Sequence, residues 1–149
     1  MTEILFYHLS EKRLEDVLPG LLEKCLERNW SVVVQAVSDE RMKALDAHLW
    51  SWRDEGFLPH GSTRDGTQAL QPIWLTCERD NPNEASVRFM IEGAEPPDLS
   101  PYQRGIYIFD GHNENDIARA RQRWKIEKDA GHAVTYWQQN PRGGWDKKA

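Results

Sequence analysis

The feature that most constrains this chain is the alternation of short apolar, β-branched runs with segments of helical periodicity. Ile4-Leu5-Phe6-Tyr7 reads as a buried strand, and polar Ser10-Glu11-Lys12-Arg13 closes it. Leu14, Val17, Leu18, Leu21, Leu22, Cys25 and Leu26 then recur at three- and four-residue spacing, the stripe of a helix packed on a core. Pro19-Gly20 interrupts the stripe, so the helix either begins near Asp16 or bends there. Ser31-Val32-Val33-Val34-Gln35-Ala36-Val37 follows as a β-branched run suited to a buried parallel strand. Strand, crossover helix and strand make a βαβ unit, and the expected fold is α/β: a mixed, mainly parallel sheet flanked by helices.

The same alternation continues. Ser38 or Asp39 caps a second helix running to about Trp52, with Met42, Leu45, Leu49 and Trp52 on its core stripe. At 100° per residue Trp50 falls away from that stripe, at a helix end crowded with Trp52 and Phe57. A polar loop over 61–68 precedes a strand at Ile73-Trp74-Leu75-Thr76-Cys77, and further strands are expected at 85–91 and 105–109. A helix capped by Asn113 or Asn115 then carries Arg119, Arg121, Arg123, Lys125 and Lys128 and stops at Gly131. It is the densest basic stretch of an acidic protein. A strand over 133–139 follows, and 140–149 forms a turn and a tail that is either exposed or paired as a hairpin. Nothing in these 149 residues marks a domain boundary, so 1–149 reads as one domain.

Composition narrows the function. A net charge of -5 argues against broad, charge-driven binding to a nucleic-acid backbone, so any basic surface is local. No apolar run approaches the length of a membrane span, and the N-terminal residues lack a basic, then apolar, leader pattern. Both point to the cytoplasm. Two cysteines, Cys25 and Cys77, fit reduced thiols better than a disulfide framework. The histidines stand singly, without metal-ligand spacing, and no G-x-S-x-G elbow is present. Gly61 and Gly66 have the spacing of a phosphate-cradling loop, but Thr67-Gln68 stands where a lysine and a hydroxyl residue are needed. No metal, cofactor or catalytic residue is therefore expected. Seven tryptophans are many for this length, and the indole suits contact surfaces. A protein-binding module is favoured; the alternative is a small nucleotide-dependent enzyme on the same scaffold.

Leu49-Trp50 through Arg53-Asp54-Glu55 to Phe57-Leu58-Pro59-His60, Phe109-Asp110-Gly111, Ala120-Arg121-Gln122-Arg123-Trp124-Lys125 with Ala130-Gly131-His132, and Val134-Thr135-Tyr136-Trp137-Gln138-Gln139 together resemble the chi subunit family of bacterial DNA polymerase III. The resemblance implies a nucleotide-binding-domain-like fold without a nucleotide site, in an accessory subunit of the clamp loader that has no catalysis of its own. It implies binding to the acidic C-terminal tail of single-stranded DNA-binding protein, contact with the psi subunit or a helicase, and contact with DNA only through these partners. Trp50, Arg121 and Trp124 match family positions at the tail pocket, and Phe57 matches the phenylalanine of the psi interface. Ile117 stands where the family has a lysine and Asp110 where it has an apolar residue; Lys125, one turn from Arg121, with Lys128, is expected to replace the missing charge. The isolated chain is expected to be a monomer.

Overall fold

A computed structural model describes residues 2–51, 60–62, 72–79, 84–142 and 144–149, with 50, 51 and 60–62 described as backbone only. Its central strand is β1 (Glu3–Leu9), which pairs in parallel with β6 (Arg104–Asp110) on one side and β7 (Ala133–Gln139) on the other. From β1 the chain passes through α1 (Leu14–Glu27) to β2 (Val32–Gln35), then through α2 (Asp39–Ser51) to β3 (His60–Ser62). β4 (Ile73–Thr76) and β5 (Val87–Ile91) precede β6, and α3 (Glu114–Asp129) joins β6 to β7. The short β8 (Trp145–Lys147) turns back on β7. The strand order is β3-β4-β2-β5-β6-β1-β7-β8, parallel throughout except for the antiparallel β7–β8 hairpin. The expected mixed, mainly parallel sheet flanked by helices is the observed one.

This order dictates which face each helix covers. The β1–α1–β2 crossover moves toward the β4 end of the sheet and the β6–α3–β7 crossover moves the opposite way. Right-handed connections that travel in opposite directions must use opposite faces. Accordingly Leu14, Leu18, Leu22 and Cys25 of α1 and Met42, Leu45 and Leu49 of α2 join Leu5, Val32, Val34, Ile73 and Ile106 in one core. Ala120, with Ile117 and Trp124 packed beside it, meets Ile4, Phe6, Tyr107 and Phe109 in the other.

Local chemistry sets the helix ends. Ser38 Oγ accepts from the Arg41 amide at 3.2 Å, and Asn113 accepts from the amides of Asn115 and Asp116, so orphan donors at both starts are satisfied. Gly131, at φ 89°, follows the end of α3 in the left-handed region that glycine tolerates best. α1 begins at Leu14 and runs through Pro19, where the sequence suggested a start near Asp16 or a bend. A proline there leaves the Glu15 carbonyl without its helical donor. The His48 ring of α2 supplies one instead, its Nε2 2.7 Å from that carbonyl oxygen. Nearby, Arg41 donates to both Glu15 and Glu92, tying α2 to α1 and to the end of β5. Among the described residues no helix is long and apolar enough to cross a membrane.

Candidate functional site

The parallel register builds an aromatic floor beneath α3. Phe6 lies opposite Tyr107 on one side and Tyr136 on the other, and its ring stacks on theirs with centroids 4.7 and 6.5 Å apart. Trp124 of α3 stands on this floor, tilted against Phe6 at 5.6 Å and edge-on to Tyr136 at 6.1 Å. It is half-buried, so the indole is both part of the core and part of the surface. Arg121 and Lys125, one turn apart, are exposed on the same helix, and Lys128 places its Nζ 5.9 Å from the Trp124 ring centroid. Such a contact is a cation–π interaction and keeps the cation beside the ring. Arg121 has no carboxylate partner among the described residues. Its neighbour Arg123 instead turns inward to Glu127 and the Tyr107 hydroxyl.

Two residues that the sequence did not single out complete this surface. Tyr136 is half-buried beside Arg121; burial raises its pKa, and the arginine's charge opposes that rise. His8, from β1, has its Nδ1 2.6 Å from the Tyr136 hydroxyl and its ring edge-on to Phe109. Burial lowers the His8 pKa, His112 adds to the effect and Asp110 opposes it, which favours the neutral imidazole. The sequence signal for both was the strand alternation of 4–8 and 134–138, which marks a face without revealing which strands lie side by side. Ile117 packs against the core, and Asp110 accepts from the His112 amide at 2.9 Å, capping the turn after β6. Neither contributes positive charge, which leaves Arg121, Lys125 and Lys128 as the cations of this flank.

Trp50 lies elsewhere. Its backbone belongs to the last turn of α2, which packs over β3 and β4 on the face opposite α3. From β4 to β6 is three strand spacings, about 14 Å across the sheet before its thickness is counted. The structure therefore brings Arg121, Trp124 and Lys125 together but does not bring the Trp50 position to them. Phe57, Trp52 and the glycine-containing loop at 63–68 lie outside the described residues.

The sequence matches the model of the family described as DNA polymerase III chi subunit, HolC, over residues 1–135. The chain belongs to the DNA polymerase III chi subunit family. It is also 29% identical to the probable DNA polymerase III subunit chi of Rickettsia prowazekii (strain Madrid E), an alignment that covers 100% of this chain and 93% of that protein. Membership places the chain among DNA polymerase III subunits and hence in DNA replication.

A mainly parallel sheet with helices on both faces is also the architecture of nucleotide-binding domains, and the structure shows what fills the place where such domains hold phosphate. In these folds the loop after the first strand offers backbone N–H groups to an anion at the start of the first helix. Here the amides of Ser10, Glu11 and Lys12 all point at Oε1 of Gln139, at 3.4, 2.9 and 2.9 Å. Gln139 reaches in from β7, is buried, and also accepts the Ser10 hydroxyl on its own carbonyl at 2.7 Å. The nest is thus satisfied from within the chain. Next to it, a cavity of about 410 Å³ opens at the carboxyl ends of β1 and β6, where Arg41 is shared between Glu15 and Glu92 and the cluster keeps an excess negative charge that disfavours phosphate.

Proposed function

We propose that this chain is a non-catalytic subunit that receives the acidic C-terminal tail of single-stranded DNA-binding protein on the exposed flank of α3. It passes that attachment to the clamp loader through a psi-type partner, with a helicase as a competitor for the same partner surface. The observation that carries the reading is the placement of Arg121 and Lys125, which have no carboxylate partner among the described residues, beside the half-buried Trp124 and Tyr136. A tail ending in an apolar or aromatic residue and a free carboxylate needs a slot beside a guanidinium or ammonium group. The α3 flank offers both, on a protein whose net charge of -5 otherwise repels acidic peptides. Phe57 is assigned to the psi or helicase surface. Trp50, on the opposite face from α3, would be a second point of attachment for the tail's more distant residues and not a wall of the α3 site. The chain works in the cytoplasm, as a monomer until a partner is bound, and touches DNA through its partners.

The test is a titration of the full chain with a peptide copying the tail, followed by tryptophan fluorescence. Arg121→Glu weakens binding at least tenfold, which is about 1.4 kcal/mol or more, and removing the peptide's terminal carboxylate does the same. Binding that is indifferent to both changes contradicts the α3 assignment.

A further inference from the structure

The opposite face of the sheet carries a second constellation of aromatic rings and cations, remote from α3. It is built by the end of α1. Arg28 caps that helix, Asn29 adopts φ 59°, and the amides of Asn29 and Trp30 return to the carbonyls of Leu26 and Cys25 at 2.9 and 3.0 Å. This double closure is a Schellman motif, and it fixes the direction in which Trp30 leaves the helix. Two guanidinium groups then approach the Trp30 ring: Arg28 Cζ lies 5.0 Å and Arg104 Cζ 4.9 Å from its centroid. Arg104 comes from the first position of β6, so the arrangement joins two distant parts of the chain. Lys24, one turn before Arg28, adds a third cation.

These side chains line a cavity of about 200 Å³ whose apolar walls include Tyr7, Phe89 and Trp145. Tyr7 and Trp145 are packed together with ring centroids 4.7 Å apart, and both are half-buried. The compensating charge is slight. Glu3 approaches Arg104 at 3.6 Å, while Lys24 and Arg28 have no carboxylate partner among the described residues. Helix-dipole compensation accounts for cations in the last turn of α1. It does not account for Arg104, which arrives from a strand and converges on the same indole. Three cations around an apolar cavity, against a net charge of -5, select a ligand with a ring or aliphatic side chain flanked by carboxylates.

We propose that the cavity between α1, β1, β6 and β8 is a second protein-binding site, taking an internal acidic segment of a partner with one aromatic side chain seated against Tyr7 and Trp145 and its neighbouring carboxylates on Lys24, Arg28 and Arg104. It differs from the α3 flank in needing no free chain terminus, because its cations are met by the side-chain carboxylates next to the inserted ring.

The test uses the full chain and a fluorescein-labelled, N-acetylated and C-amidated peptide, Glu-Asp-Glu-Phe-Asp-Glu, followed by anisotropy. Saturable binding is expected, weakened at least tenfold by Arg28→Glu or by replacing the peptide's Phe with Ser, and unchanged by Arg121→Glu. Lys24 and Arg28 are exposed, so Lys24→Glu and Arg28→Glu leave the fold intact, and their melting temperatures verify this. In a nitrogen-15 spectrum the indole N–H signals of Trp30 and Trp145 shift on addition of the peptide while that of Trp124 stays. No binding by the wild type overturns the proposal, as does binding lost in Arg121→Glu and kept in Arg28→Glu. A ten-nucleotide oligothymidine that binds through Arg28 while the peptide does not would also overturn it, assigning the site to nucleic acid. Loss of tail binding at α3 with this site retained would contradict the proposed function and leave the present inference standing.

Discussion

Single residues fix the α3 surface from below. Gly111 follows β6 where the chain passes over His8; a Cβ at this position would overlap the His8 ring and stand 2.6 Å from the Leu9 carbonyl oxygen. The backbone amide of Gly111 meanwhile donates to that same carbonyl at 2.8 Å. Neither neighbour can withdraw, because His8 is held by Tyr136 and Leu9 is part of the β1–β6 ladder. Gly111→Ala is therefore expected to destabilise the protein by about 1–3 kcal/mol, the usual cost of overpacking, and urea denaturation measures it. The expected loss includes a shift of the Tyr136 ring, so tail affinity falls along with stability. Arg88 is a second such residue: fully buried, it donates to Gln35 Oε1, the Tyr102 hydroxyl and the Glu78 carbonyl. Arg88→Ala leaves Gln35 Oε1 and the Tyr102 hydroxyl buried without this donor and is expected to cost about 3–5 kcal/mol, read as a lowered denaturation midpoint.

At the scale of elements, the two helices on one face are joined where α1 is weakest. Pro19 removes one donor from α1 and His48 of α2 replaces it at the Glu15 carbonyl. His48→Ala should therefore cost about 1–2 kcal/mol in the wild type. With Pro19→Ala present, which restores the helical N–H, the same substitution should cost measurably less, and a double-mutant cycle gives the coupling. Arg41 bonds the Glu15 side chain one turn earlier. Burial raises the Glu15 pKa, but the Arg41 hydrogen bond and charge outweigh it and the net shift is downward. A carboxylate held below its ordinary value contributes stability that is present above that value, near pH 4.5, and lost as the pH falls through the folded pKa. Stability should thus decline below about pH 4.5, with a shallower decline in Arg41→Ala. The helical and strand periodicities made most of these elements legible in the sequence. The sequence places the start of α1 two residues late because the donor that compensates Pro19 sits 29 residues away, a distance no local pattern encodes. The three residues of β3 lie in a polar stretch with no strand signature, and they pair because β4 offers an edge beside them.

The whole molecule divides its work between two faces because its crossovers run in two directions. One face holds α3 and its exposed cations Arg121, Lys125 and Lys128; the other holds α1, α2 and the Trp50 helix end. The sequence revealed the residue types of the α3 surface but not its partners, since Tyr136 and His8 reach it only through the parallel register of β7, β1 and β6. Nor did spacing show that Trp50 and Arg121 are separated by the sheet. The Gln139 side chain in the loop after β1 implies that ATP, GTP and NAD leave the melting temperature unchanged; a rise of several degrees with any of them would mean that the nest can be emptied. The measurement that bears most directly on the proposed role is a nitrogen-15 spectrum of the full chain titrated with the tail peptide of its single-stranded DNA-binding protein. The Trp124 indole and the amides of residues 117–128 should shift in a saturable way and fail to do so in Arg121→Glu. Shifts confined to α1 and α2, with α3 silent, would contradict it.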